Sequence, residues 1–251
     1  PDVELIRQLV GKRLLDSKRV EADLKMLDRM LRTLWTAGYV TLEPEPPKAA
    51  PGNAEGNAGE ATAEEPSYRP RLAHATESLQ RLLVFRSVNP LYGVFLVQHL
   101  GIADWAERMQ AIESVLELPY TVGRFVRVPG PDELPPGPLA TTRLDVELLQ
   151  LGLATSEQLG AGEPEEPAQR RGLFEDEPVR PLTLADKLRM LFDYDFPGVH
   201  DVQTNPVWAA GELLEFGGDF NKYVTSKRLQ KQEGILFRHL LRLILLVREF
   251  Q

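Results

Sequence analysis

Two stretches of this chain are unfit to fold, and they limit what the rest can become. Residues 44–70 and 157–178 are dense in Pro, Gly, Ala and Glu, and 44–70 has almost no branched or aromatic apolar side chain. Neither can bury enough surface to offset the entropy lost on ordering, so both are expected to be disordered or irregular linkers. The 251 residues, 43% of them hydrophobic, are therefore expected to fold as separate blocks. No apolar run approaches the roughly eighteen residues of a membrane span. The absence of cysteine removes disulfides, thiolate metal sites and thiol nucleophiles, and fits a cytoplasmic location. The opening Pro1-Asp2-Val3-Glu4 has neither an initiator Met nor a signal pattern, which reads as a fragment of a longer protein.

The formal net charge of -8 is unevenly placed. Acidic residues gather in 43–65 and 157–177, whereas 222–251 holds Lys222, Lys227, Arg228, Lys231, Arg238, Arg242 and Arg248 against Glu233 and Glu249. The average argues against nucleic acid, but the basic tail does not.

Apolar spacing between the linkers is mostly helical. A helix over residues 3–10 turns at Gly11. A second follows the Asp16-Ser17 cap with Val20, Leu24, Leu27, Leu31 and Leu34 inward, Met30 widening the stripe, and Gly38 closing it. Residues 39–42 read as a strand. Helix, helix, strand is part of a winged helix, with the strand's wing partner expected to be missing. Helices are predicted again around Leu79, Leu82 and Leu83, over 91–100 after the Asn89-Pro90 break, and over 104–118 with Trp105, Met109, Ile112, Val115 and Leu116 inward. Residues 129–138 are too rich in Pro and Gly for regular structure, and 144–151 supply a turn or two of isolated helix. Thr183 caps a helix carrying Leu184, Leu188, Leu191 and Phe192. A terminal helix from Glu233-Gly234 places Ile235, Leu236, Leu240, Leu243, Ile244 and Val247 on one broad face, with Arg238 and Arg242 one turn apart. The fold class expected is mostly α: a winged-helix-like segment (1–43), a linker (44–70), a helical segment (71–128), a second linker with a short helix (129–180) and a C-terminal helical bundle (181–251).

Motifs for catalysis are weak. The only Gly-Lys pair, Gly11-Lys12, precedes Arg13 and lacks the upstream glycine of a phosphate loop. Asp132-Glu133-Leu134-Pro135 lies in a proline-rich loop and is no helicase box. No Gly-x-Ser-x-Gly elbow occurs. Asp193 and Asp195 with His200-Asp201 have donors that suit a divalent cation, but aspartates beside Pro197-Gly198 more readily cap helices and turns. His74, His99 and His239 are scattered, with His239 expected to flank the packing face of its helix. Trp35, Trp105 and Trp208 lie on or beside apolar faces, which favours core packing over base stacking. Arg228, Lys231, Arg238 and Arg242 remain as candidate contacts to a nucleic-acid backbone; the same residues also suit a solvated helix face or partners for linker carboxylates.

Trp208-Ala209-Ala210-Gly211, the runs Glu212-Leu213-Leu214-Glu215 and Phe220-Asn221-Lys222-Tyr223-Val224, and Glu233-Gly234-Ile235-Leu236 followed by Arg238 and Arg242 resemble a bacterial domain of unknown function. That domain is found behind DEAD/DEAH-box helicase cores. The pattern is also similar to the C-terminal helical domain of Ski-like superfamily 2 helicases, and the likeness extends to Arg86-Ser87-Val88-Asn89-Pro90-Leu91-Tyr92-Gly93. It implies a non-catalytic accessory region that guides or grips single-stranded RNA or DNA, with RNA the first expectation. Its partners would be helicase motor domains of the same parent chain, and ATP and Mg would belong to that motor; no cofactor is expected in this segment. Phe237 and His239 among the arginines depart from the more uniformly basic Ski-like pattern. The competing expectation is a protein-interaction or structural module that touches no nucleic acid.

Overall fold

The computed structural model describes residues 2–12, 16–47, 68–160, 181–197, 199 and 201–250. It is mostly α-helical, and the one sheet among these residues has two antiparallel strands. None of the helices among them is long and apolar enough to cross a membrane. Much of both predicted linkers, at 48–67 and 161–180, lies outside the described residues. The chain divides into two units, Pro1–Leu83 and Val84–Gln251.

In the first unit, α1 (Val3–Gly11) and α2 (Ser17–Thr36) begin under Asp2 and Asp16, whose carboxylates accept from the amides of Glu4 and Arg19. Arg7 fastens the helices together: its guanidinium meets Asp28 at 2.6 Å and donates to the Pro70 carbonyl at 3.1 Å. Gly38 follows α2 at φ +76°, a left-handed conformation that costs glycine little and turns the chain into β1 (Val40–Glu43). The core joins Val3, Leu31, Val40 and Leu42, with Leu27, Leu34 and Trp35 against it. Met30 points outward, 55% exposed, and does not widen the stripe.

The strand partner expected to be missing is present. β2 (Leu72–Ala75) pairs antiparallel with β1, Val40 opposite Ala75 and Glu43 opposite Leu72, and Thr76 closes the ladder by donating to the Gly38 and Tyr39 carbonyls at 2.9 Å each. The segment read as purely helical from residue 71 thus opens with a strand of the first unit, followed by the single turn α3 (Leu79–Leu82).

The second unit begins at α4 (Pro90–His99), where proline suits the first helical turn and Asn89 caps it, accepting from the Leu91 and Tyr92 amides. The Asn89 amide group donates to Asp201 at 3.2 Å. A capping box of Asp104 and Glu107 starts α5 (Trp105–Ser114), and one of Thr183 and Asp186 starts α8 (Leu184–Asp195). Tyr92, Phe95 and Phe192 meet at the centre of the larger core, edge to face at 5.0 and 5.3 Å and stacked at 5.8 Å. Leu188 and Leu191 join them. A second core gathers Val122, Val126, Val207, Tyr223, Val224, Leu229 and Leu236 around α6 (Tyr120–Gly123), α9 (Ala209–Glu215), α10 (Phe220–Ser226) and α11 (Glu233–Val247). At the far end, Glu249 accepts from the Arg86 and Ser87 amides at 3.1 and 3.3 Å and from the Ser87 hydroxyl at 2.6 Å.

The short helix read at 144–151 within the 129–180 linker is present, but it is not isolated. A π-helical turn (Ala140–Leu144) runs into α7 (Asp145–Gln150), and Leu139, Leu144 and Leu148 are wholly buried in the main core. Leu159, inside the predicted acidic linker, is also buried. The five-residue step from Leu139 to Leu144 fails a search for steps of three and four, but i→i+5 geometry brings such residues onto one face. Glu107 explains why a helix can start among prolines. Its buried carboxylate accepts from the amides of Leu139 (3.0 Å) and Ala140 (2.7 Å), groups that would otherwise be orphaned. Lys187 of α8, also buried, then pairs with Asp145 at 2.6 Å.

Trp208 is 2% exposed and lies against Gly211, where a Cβ would come within 1.9 Å of the indole. Gly211→Ala should therefore destabilise this unit by about 1–3 kcal/mol through overpacking. A thermal unfolding midpoint equal to that of the parent would show that the indole is not seated there.

Candidate nucleic-acid interface

The site is built from residues 117–127 after α5, the exposed side of α11 and the segment 203–207 that joins them. The Asn205 amide donates to the Ser114 carbonyl at 2.7 Å, Trp208 to the Val126 carbonyl at 2.8 Å, and Arg127 forms an isolated antiparallel bridge with Val207. These bonds lay residues 203–207 between the end of α5 and the loop after α6. One cleft, of about 590 Å³, is bounded by Glu117, Leu118, Gln203, Asn205, Ile235, Arg238, His239 and Arg242. A second, of about 390 Å³, is bounded by Leu118, Tyr120, Arg124, Arg127, Asn205 and Val207. Leu118 and Asn205 belong to both, so the clefts are neighbours along one surface.

Arg124, Arg127, Arg238 and Arg242 are all exposed, and none has a carboxylate partner among the described residues. Arg124 instead lies over the Phe125 ring, 4.6 Å from its centre. Tyr120 is 74% exposed. The acids bounding the two clefts reduce to Glu117, on a chain whose net charge is -8.

Beneath the first cleft lies a buried polar pair. Glu113 of α5 is fully buried; it accepts from His239 Nε2–H at 2.9 Å and from the Ala210 amide at 3.3 Å to each oxygen. The other ring nitrogen of His239, Nδ1, is buried without a hydrogen-bond partner among the described residues. Next to this pair, Glu212 accepts from the Tyr223 hydroxyl at 2.9 Å and from Lys227 at 2.6 Å. Burial is the main cause that pushes the Tyr223 phenol far above its ordinary range, and the charges of Glu212 and Glu113 add to it.

The predicted residues therefore separate. Arg238 and Arg242 lie together on the cleft wall, whereas Arg228 and Lys231 are exposed in the turn before α11 and bound neither cleft. Arg228 is the one non-glycine residue at positive φ (56°) among the described residues. His239 does not flank the packing face of α11; it is part of it, with Leu236, Leu243 and Leu246, while Ile235 and Ile244 face outward at 40% and 55% exposure. Trp105, expected inward, is 52% exposed and touches Trp208 edge-on at 5.9 Å.

The aspartates weighed as metal ligands have other partners. Asp193 pairs with Arg189 at 2.8 Å, and Asp201 accepts from Asn89. Asp195 is held above the usual carboxylate range by burial, with nearby His99 acting the other way. His99 donates its Nδ1–H to the Phe95 carbonyl at 2.8 Å. His200 lies outside the described residues. Among the described residues no group of three or more His, Asp or Glu side chains is placed to hold a metal ion.

Arg124, Arg127, Gln203 and Asn205 escaped sequence reasoning, because their convergence depends on pairing across about eighty residues of chain, from Arg127 to Val207. The run Arg124-Phe125-Val126-Arg127 did offer one signal, two cations around an aromatic, of the kind that suits a strand-binding surface. Comparison with models of protein families, with curated proteins and with solved structures finds no match.

Proposed function

We propose that the Val84–Gln251 unit is a non-catalytic accessory module that grips single-stranded nucleic acid, RNA in the first instance, along the two neighbouring clefts. The observation that carries this reading is the set of four exposed arginines around those clefts, none with a carboxylate partner among the described residues, beside the exposed ring of Tyr120. Cations that track phosphates and an aromatic face on which a base can stack are the two elements of sequence-tolerant strand binding. In this reading the unit works for an ATP-dependent motor of the Ski-like helicase type in the same parent chain, which would supply the ATP and Mg chemistry. The winged-helix-like first unit would belong to the same accessory region.

Replacing Arg238 and Arg242 together by Gln should weaken binding of the full chain to a single-stranded RNA. It should also flatten the plot of log affinity against log salt by about 1.4, since each phosphate contact on a single strand contributes about 0.7. Fluorescence anisotropy across a salt series measures both, and a matched DNA strand reports the choice of sugar. Identical affinity and slope in parent and variant would remove the cleft from consideration. A protein-interaction module would then lead, a reading favoured by the exposed Phe237, Leu241, Ile244 and Leu245 on the outer side of α11.

A further inference from the structure

His239 and Glu113 are a costly arrangement for a helix that needs only to pack. The carboxylate is fully buried, the imidazole 4% exposed, and the residue positions on either side of His239 in the helical repeat are leucines. The pair lies under the first cleft, which His239 helps to bound together with Arg238 and Arg242. Nε2–H is committed to Glu113, so any further proton must be taken up at Nδ1, the ring nitrogen without a partner among the described residues. A buried imidazolium needs an acceptor or an anion near that nitrogen, and the cleft above is built from cations that attract one.

We propose that the first cleft contains a proton-coupled phosphate subsite: a phosphate group held by Arg238 and Arg242 is bound together with a proton taken from solvent onto Nδ1 of His239. This rests on the strand-binding reading of the cleft. The phosphate in the cleft supplies the counter-charge for the new N–H, which stays buried beneath it. Glu113 holds the ring by the opposite nitrogen and balances the imidazolium. The remaining charges around the ring work as follows. Arg238 and Arg242, on its own helix, oppose protonation until the phosphate offsets them. Glu117, beyond the end of α5, favours it. Glu212 of α9 is matched by Lys227 next to α10, and residues 203–207 offer the neutral Gln203 and Asn205. Because the bound state carries the extra proton, affinity must rise as pH falls and drop as pH rises.

The test uses the full chain and a fluorescent single-stranded RNA, at fixed ionic strength from pH 8 to pH 5.5, with 5′-hydroxyl and 5′-phosphorylated forms of the same oligonucleotide. Affinity for the 5′-hydroxyl form should rise by about tenfold across this range, about 1.4 kcal/mol in binding free energy. In calorimetry with two buffers of different ionisation enthalpy, binding should take up as much as one proton. His239→Gln should remove that dependence. A rise seen only with the 5′-phosphorylated form assigns the subsite to a strand end, and equal rises assign it to the internal diester backbone. If His239→Gln fails to fold, the His239 ring resonance in the parent protein answers the same question, because added RNA at low pH should move it to its protonated position. An affinity independent of pH, a pH dependence that survives His239→Gln, or a resonance indifferent to RNA overturns the proposal. Absence of binding at every pH, with Arg238→Gln/Arg242→Gln indistinguishable from parent, overturns the strand-binding reading itself.

Discussion

Glu113→Ala is expected to cost the Val84–Gln251 unit several kcal/mol, about 1–3 kcal/mol for each buried donor that loses its acceptor. Truncation strands two groups and opens a cavity. The Ala210 amide loses its acceptor at the start of α9, Nε2 of His239 joins Nδ1 in having no partner among the described residues, and the space between α5 and α11 is left unfilled. Glu113→Gln should cost distinctly less, because one amide oxygen can still accept. Urea denaturation of the three proteins measures the series. A midpoint for Glu113→Ala within error of the parent would mean that the pair is not a fastening point of this fold.

Phe192→Ala is expected to cost a similar amount, about 3–5 kcal/mol, for a different reason. The side chain is fully buried and stands at the junction of rings from three other positions: Tyr92 at 5.0 Å, Phe95 at 5.3 Å and Phe196 at 4.8 Å. Its loss leaves a void that α4 and α8 cannot close without tilting, since Leu188 and Leu191 already occupy the adjacent turns of α8. The affected area lies in the main core and not around the arginine clefts. The near-ultraviolet dichroism of the aromatic core should therefore collapse at lower denaturant, while RNA affinity measured under fully native conditions stays close to the parent value. Phe192→Leu should recover part of the loss, and equal stability of Phe192→Ala and parent would contradict the packing described.

Where the sequence was legible, the signal was local. The caps at Asp16 and Thr183 announce helices that the structure contains, the Asn89-Pro90 break falls at the start of another, and Leu184, Leu188, Leu191 and Phe192 keep helical spacing because one side of α8 is buried along its length. Illegible features depended on partners distant in the chain. Leu72–Ala75 is too short, and too exposed on both faces, to alternate visibly. Leu139, Leu144 and Leu148 follow a π turn that Glu107 stabilises from thirty-two residues away. On α11, counting apolar residues points Ile235 and Ile244 inward, but a carboxylate on α5 makes a histidine the better inward residue and rotates the helix accordingly. Of the candidate site, Arg238 and Arg242 could be paired by helical periodicity alone, whereas Arg124 and Arg127 reach the neighbouring cleft only through the bridge to Val207.

The Glu249 clasp has a topological consequence. By holding Arg86 and Ser87, with Phe85 and Phe250 in ring contact at 5.0 Å, it brings the two ends of the second unit to one place. A chain whose ends coincide is a ring with a nick, and the position of the nick is incidental to the fold. Such a unit is suited to circular permutation, the old ends spliced by a short peptide and new ones opened at an exposed turn such as Gly152. It can equally be carried as an insert in a surface loop of another domain, because both connections leave from the same point.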